Sequence, residues 1–171
     1  MNSTKTLYVS ASLTAVLAVS MIAIPAANAL VVLTDATGDA ADPNFDIKQV
    51  EINNKGEPSL TVVGDAGGTI PTDPTKVYAY VFFASDGSIY AVTSHEAEDS
   101  SEVPSDLKWH AHRVELDGSG CVTGLFEDGR ANVVGDTVMV KGVSVSGIDA
   151  AAAVELTING GVCVSGGFDS T

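Results

Sequence analysis

The stretch Val81-Phe82-Phe83-Ala84-Ser85-Asp86-Gly87-Ser88-Ile89-Tyr90-Ala91-Val92 decides the fold class. Two apolar runs flank the pair Asp86-Gly87, and Gly and Asp tolerate the positive φ that a tight hairpin turn needs. The stretch therefore predicts a β-hairpin. Asn159-Gly160-Gly161 and Asp117-Gly118-Ser119-Gly120 stand between apolar runs in the same way and predict two further hairpins.

Short runs rich in Val, Ile, Thr and Tyr recur along the chain from residue 30 onwards, separated by Gly, Asp, Asn and Pro. Helical periodicity is almost absent. We therefore predict an all-β fold, an antiparallel β-sandwich or flattened barrel of about eight to ten short strands. The alanines 150–153 form either one helical turn or the start of a strand, and the acidic, Ser-rich segment 96–106 predicts an exposed loop. The predicted strands are 45–52, 59–63, 76–84, 88–94, 107–116, 122–126, 131–134, 137–145, 152–158 and 162–165.

The amino terminus has the features of an export signal. Lys5 precedes an uncharged apolar run over residues 7–24, Pro25 interrupts it, and Ala27-Asn28-Ala29 offers small residues at the two positions that a signal peptidase reads. We predict a signal-peptide helix over residues 1–29, cleaved after Ala29, and a single domain over residues 30–171. An uncleaved anchor is the alternative, because the run approaches the roughly 20 residues that span a bilayer. After cleavage no transmembrane anchor is expected, so the predicted location is secreted or at the cell surface.

The composition is strongly acidic. The 171 residues include 8 Lys and Arg and 22 Asp and Glu, giving a formal net charge of −14, and signal cleavage would remove Lys5 and no acid. Nucleic acid is therefore not expected as a partner, since phosphate binding requires a basic face. The acidic surface serves either solubility or cation binding.

Cys121 and Cys163 are the only cysteines. In an exported chain such a pair most simply forms one disulfide, stabilising the fold by about 4 kcal/mol on the chain-entropy model. Each cysteine starts a predicted strand after a Gly-rich turn, which places both near one end of the sandwich. The alternative role, a thiolate metal ligand, requires a reducing compartment or a bound soft metal.

An aspartate-rich segment provides the first candidate cation site. Its oxygen donors are Asp35, Asp39, Asp42, Asn44 and Asp46, and Gly38 allows a tight bend among them. Calcium takes about six to eight oxygen ligands from flexible loops, so the segment predicts a calcium site, although its spacing differs from that of an EF-hand. Alternatively, the same side chains cap their own turns.

This segment carries a resemblance. Asp35-Ala-Thr-Gly-Asp39, followed by Asp46-Ile47 and an alternating strand, resembles the opening of secreted β-sandwich domains of the DOMON and carbohydrate-binding type. The resemblance implies a β-sandwich with a structural calcium near the first strand. Trp109 is the only tryptophan, which would make a meagre platform for a sugar.

His110 and His112 provide the second candidate site. Residues two apart on a strand point to the same face about 7 Å apart, so both imidazoles can reach one ion. Copper or zinc is the predicted metal, and His95 is the remaining histidine that would complete a three-nitrogen set. Alternatively, the pair lies on a half-exposed face and bonds to loop carboxylates.

Two further resemblances bear on this pair. The signal peptide, Trp109-His-Ala-His-Arg-Val and Cys121-Val resemble exported proteins of ammonia-oxidising archaea, which implies a copper-rich setting and no particular activity. His110-Ala-His112 is superficially similar to copper–zinc superoxide dismutases, but those enzymes need further histidines and none follows His112. A cupredoxin centre is excluded as well, because no histidine accompanies either cysteine.

The sequence therefore favours an exported binding or structural domain over an enzyme, and it predicts no catalytic residue. Calcium at the Asp35–Asp46 segment is the leading cofactor, and copper or zinc at the histidines is the alternative. Exposed strands at the sheet edges leave self-association, on the cell surface for example, open.

Overall fold

The computed structural model describes residues 29–68, 71–94 and 109–171. Nearly the whole expected signal peptide, His95 and the acidic segment 96–106 lie outside the described residues, so the expectations about them stay predictions. In the described ranges no helix is long and apolar enough to cross a membrane.

The predicted all-β sandwich is confirmed. Eleven strands in the described ranges form two sheets, and every pair of neighbouring strands is antiparallel. Sheet A has five strands in the order β1-β2-β3-β9-β8, and sheet B has six in the order β11-β10-β4-β5-β6-β7. The strands are β1 Leu30–Thr34, β2 Ile47–Ile52, β3 Pro58–Val62, β4 Lys76–Ala84, β5 Ile89–Ser94, β6 His110–Leu116, β7 Val122–Phe126, β8 Arg130–Val134, β9 Thr137–Lys141, β10 Ile148–Ile158 and β11 Val162–Ser170.

The three predicted hairpins form as their turn residues indicate. The β4–β5 hairpin pairs Phe83 with Ile89, and Gly87 between them has φ +87°. Gly160 takes φ +69° in the β10–β11 turn. In the β6–β7 turn the Asp117 carboxylate accepts hydrogen bonds from the backbone N–H groups of Ser119 and Cys121. The hydrogen bond from the Ser119 hydroxyl is the largest cause that lowers the pKa of Asp117, and these backbone bonds lower it further by stabilising the ionised form.

The structure differs from the sequence prediction in several strands, among them β11, which was predicted over 162–165 and extends to Ser170. β1 was not predicted, and it pairs with β2 at the edge of sheet A. The alanines 150–153 belong to β10, which begins at Ile148. The strand predicted over 137–145 ends at Lys141, because Gly142 has φ +81° and turns its N–H to the Glu57 carboxylate.

The main hydrophobic core lies between the two sheets. Strand side chains alternate between faces, so Tyr80 and Phe82 of β4 point from sheet B toward the strands of sheet A. Full burial of each large apolar side chain stabilises the fold by about 1.5–3 kcal/mol. The Tyr80 hydroxyl donates a hydrogen bond of 2.6 Å to the Asn44 carbonyl, and burial raises the pKa of Tyr80. The largest buried side chains include Phe45, Ile47, Val50, Leu60, Tyr80 and Phe82.

Sheet B carries a second apolar cluster on its other face, with Val77, Val81 and Leu156 buried there. Its two edge strands meet, because an isolated antiparallel bridge joins Cys121 beside β7 to Cys163 in β11. The predicted disulfide is confirmed at this point, where the two Cα atoms are 3.9 Å apart. Sheet B is therefore rolled upon itself, with its second apolar cluster on the concave side.

Candidate metal centre

The aspartate-rich segment connects β1 to β2 and is held by an aromatic anchor. Phe45 is 2% exposed, stacks on Phe168 of β11 at a centroid distance of 4.1 Å, and meets Tyr78 edge-on at 5.3 Å. Such aromatic pairs add about 0.5–1.5 kcal/mol beyond their buried area. Because Phe168 immediately precedes Asp169, this packing brings the segment beside the Asp169 carboxylate.

Three carboxylates converge at this place. Asp35, Asp39 and Asp169 each offer one oxygen, and the three oxygens lie within 4.8 Å of one another. Asp35 and Asp39 were predicted from the sequence, whereas Asp169 was missed. Asp169 is 122 residues beyond Ile47, and no local motif announces it. Asp169 stands between Phe168 and Ser170, and this local sequence has no spacing that is typical of metal ligands.

Two backbone hydrogen bonds connect Asp46 and its neighbour Ile47 to the same cluster. The Gly38 N–H donates to Asp46 Oδ2 at 2.6 Å, and the Ile47 N–H donates to Asp169 Oδ2 at 2.6 Å. Gly38 has φ +92°, a conformation that favours glycine. Asp46 is only 2% exposed. The Gly38–Asp39 bend, Asp46 and Asp169 are thereby fixed relative to one another.

Two carboxylate oxygens here are buried without a hydrogen-bond donor, Asp46 Oδ1 and Asp35 Oδ2. Leaving a buried acceptor unsatisfied costs about 1–3 kcal/mol, and more when it is charged. No lysine or arginine of the described ranges lies within ion-pair distance of these carboxylates. A bound cation would satisfy the oxygens and offset the negative charge.

The pKa of Asp169 reflects its burial and the carboxylates beside it. Burial is the largest cause that raises the pKa of Asp169, and the negative charges of Asp35 and Asp39 raise it further, against two backbone hydrogen bonds that lower it. A carboxyl group in this position favours either a proton or a cation beside it.

The side chains of the other two predicted ligands, Asp42 and Asn44, accept hydrogen bonds from backbone N–H groups. Asp42 Oδ1 accepts a hydrogen bond of 2.9 Å from the Asn44 N–H, and Asn44 Oδ1 accepts one of 2.8 Å from the Asp65 N–H. In the described residues the group of converging ligand atoms contains neither of them. Asp42 and Asn44 therefore shape the turn, as the alternative interpretation of this segment predicts for them.

The histidine pair lies on β6 in sheet B. The His110 and His112 ring centroids are 6.4 Å apart, and His112 is 7% exposed. Both side chains point to the same face, as predicted. Within the ranges described, no third ligand joins them in a group of three, and His95 lies outside those ranges. In the part of the chain that the structure describes, the pair brings two imidazoles together on the concave face of sheet B.

No family model, no curated protein and no solved structure matches this chain significantly.

Proposed function

We propose that this chain is an exported, cell-exterior binding or structural domain that holds a divalent cation, calcium, between Asp35, Asp39 and Asp169. One observation carries the proposal: three carboxylates from two distant parts of the chain converge beside two buried, unsatisfied carboxylate oxygens. Asp46 fixes the loop and completes the negative charge around the ion.

The donor chemistry favours calcium over transition metals. All the converging atoms are carboxylate oxygens, which are hard ligands that suit calcium better than copper or zinc. The ion would join the β1–β2 segment of sheet A to β11 of sheet B, so its role is to tie the two sheets together.

The test is a calcium titration of the purified, oxidised protein after chelator treatment, with the melting temperature as the readout. At calcium one hundredfold above Kd, the expected stabilisation is about 2.7 kcal/mol. Asp39→Asn should abolish the shift, because Asp39 is exposed and its replacement removes a ligand without disturbing the core. Asp42→Asn in the same segment is the matched control and should retain it. Absence of a calcium shift, or equal loss in both variants, would reject the site.

Export is supported by the disulfide, which is compatible with an extracellular protein, together with the amino-terminal sequence pattern. Mass spectrometry of protein recovered outside the cytoplasm should give a mature amino terminus at Leu30. An intact Met1 terminus on that protein would contradict cleavage.

Copper or zinc binding at His110 and His112 is the second candidate function, favoured by the proximity of the two rings on one strand face. It predicts one copper ion per chain, lost in the His110→Ala, His112→Ala double variant. The Asp39→Asn variant should keep that copper, which separates the two sites.

A further inference from the structure

The concave face of sheet B encloses a cavity of about 230 Å³. Alternate residues of neighbouring strands line it, among them Val77, Val81, Ala91, Val114, Leu125 and Leu156. It is partly walled by the rolled sheet and partly open to solvent. We call this space the sheet B groove.

The size of the groove is unusual for a space left by imperfect packing. Protein interiors pack as densely as organic crystals, and their voids are few and small. An apolar cavity of about 150 Å³ is already large enough to hold a benzene-sized molecule. The groove is larger, and its lining is almost wholly apolar, which is the usual character of a ligand pocket.

The groove is held open by covalent and backbone connections. Cys121 and Cys163 join the two edge strands of sheet B, and the Val164 N–H donates to the Gly120 carbonyl at 3.1 Å beside the bridge. The strand backbones on both sides are fixed by the sheet ladder. The space is therefore built into the fold and does not depend on one side-chain rotamer.

Charge and size indicate the kind of occupant. Among the described residues that line the groove, the only polar side chains are those of Thr93 and His112, and none is a lysine or arginine. The whole chain carries a net charge of −14, which repels anions. An anionic amphiphile would find no cation for its head group among the described lining residues.

We propose that the sheet B groove binds a small uncharged apolar molecule, an aliphatic chain or an aromatic ring system, whose single polar atom lies near Thr93 and His112. The groove is separate from the aspartate site, so the proposal stands independently of calcium binding.

The test uses the purified, oxidised protein and the uncharged fluorescent probe N-phenyl-1-naphthylamine. The expected result is saturable binding of one probe per chain, displaced by 1-dodecanol and about tenfold less well by dodecanoate, which has the same chain length and a negative charge. No saturable binding, or equal displacement by the two competitors, would overturn the proposal.

Two variants and a control locate the binding. Ala91→Leu fills the groove and should weaken probe binding about tenfold or more. Leu125→Gln, at a position already 60% exposed, leaves folding intact and should weaken it about fivefold. Val134→Gln is the matched control, because Val134 is 67% exposed on sheet A, and its affinity should stay within about twofold. Equal weakening in the control would place the probe elsewhere.

A second copy of the chain is the other occupant of the groove that the experiments must distinguish from a small molecule. Sedimentation of the probe-free protein should show no dimer that depends on Leu125. Such a dimer would be recognised because Leu125→Gln dissociates it. A dimer of that kind, which excludes the probe as protein concentration rises, would overturn the small-molecule assignment.

Discussion

At the scale of single residues, the carboxylate cluster shows a clear conflict between burial and charge. Asp46 is almost fully buried and Asp169 is crowded by Asp35 and Asp39, yet no basic side chain of the described ranges compensates them. Conflicts of this kind are costly to stability and are expected at functional sites.

Asp169→Asn is expected to have opposite effects without and with calcium. The folded-state pKa of Asp169 is raised, so its carboxyl stabilises the fold while protonated, and that stability is lost as pH rises through the raised pKa. A neutral amide mimics the protonated form and keeps an oxygen for the Ile47 N–H. At neutral pH in chelator the variant should melt higher than the wild type, whereas its calcium shift should vanish. A lower melting temperature in chelator would contradict the repulsion.

The stability that Glu57 contributes changes with pH in the direction opposite to that of Asp169. Its carboxylate accepts hydrogen bonds from the Gly142 N–H at 2.9 Å and the Asn53 side-chain amide at 2.8 Å, and these two bonds are the main causes that lower its pKa below 4.5. A lowered folded-state pKa means that the stabilisation is present above the unfolded pKa and is lost as pH falls through the folded one.

The Glu57→Gln variant should therefore be less stable than the wild type at pH 7, and the difference should shrink as pH falls below about 4.5. Chemical denaturation at a series of pH values measures it. A difference that is constant with pH would mean that the lost stability comes from packing of the side chain rather than from its charge.

At the scale of elements, the disulfide closes sheet B by joining its two edges. Edge strands expose unpaired backbone groups, and a covalent link between β7 and β11 holds the two edges together at one end. The same link shapes the sheet B groove. The aromatic stack of Phe45 on Phe168 acts similarly for the other end of β11, where it docks the aspartate segment.

Replacing both cysteines, Cys121→Ser with Cys163→Ser, should lower the free energy of unfolding by about 2–5 kcal/mol. Amide hydrogen exchange should accelerate first in β7 and β11, because these strands lose their shared constraint. The wild type under reductant is the matched control and should show the same loss, while reductant should leave the variant unchanged. A variant as stable as the oxidised wild type would show that backbone pairing alone closes the sheet.

At the scale of the whole molecule, the net charge of −14 opposes compaction. Like charges repel over a Debye length of about 10 Å at 0.1 M salt and about 3 Å at 1 M. Two ion pairs of the described residues, Lys76 with Glu155 and Arg113 with Asp128, are partly exposed and contribute little each. The stability of the fold therefore depends on the salt concentration as much as on these ion pairs.

Stability in chelator should rise between 0.05 M and 1 M tetramethylammonium chloride, a salt whose bulky cation screens charge without coordinating carboxylates. The unfolding midpoint measures the effect. Calcium added at low salt should give a further shift that saturates, unlike the gradual effect of screening. A midpoint that does not change with salt would show that self-repulsion is negligible in the folded state.

Local chemistry in the sequence determined the fold class of this protein. Turn pairs such as Asp86-Gly87 and the β-branched and aromatic runs beside them act over a few residues, so they predicted β4, β5 and their hairpin without knowledge of the rest. The two cysteines followed turns at equivalent positions, and their pairing was predictable on that basis.

Only the tertiary structure decided which carboxylate oxygens converge and that the second face of sheet B encloses a groove. Asp169 joins Asp35 and Asp39 only because Phe45 packs on Phe168, a contact between opposite ends of the domain that no local spacing encodes. The strand β4 is buried on both of its faces, and only the rolled sheet shows that the second face encloses a groove. Local propensity selects strands, whereas long-range packing selects which of their side chains meet.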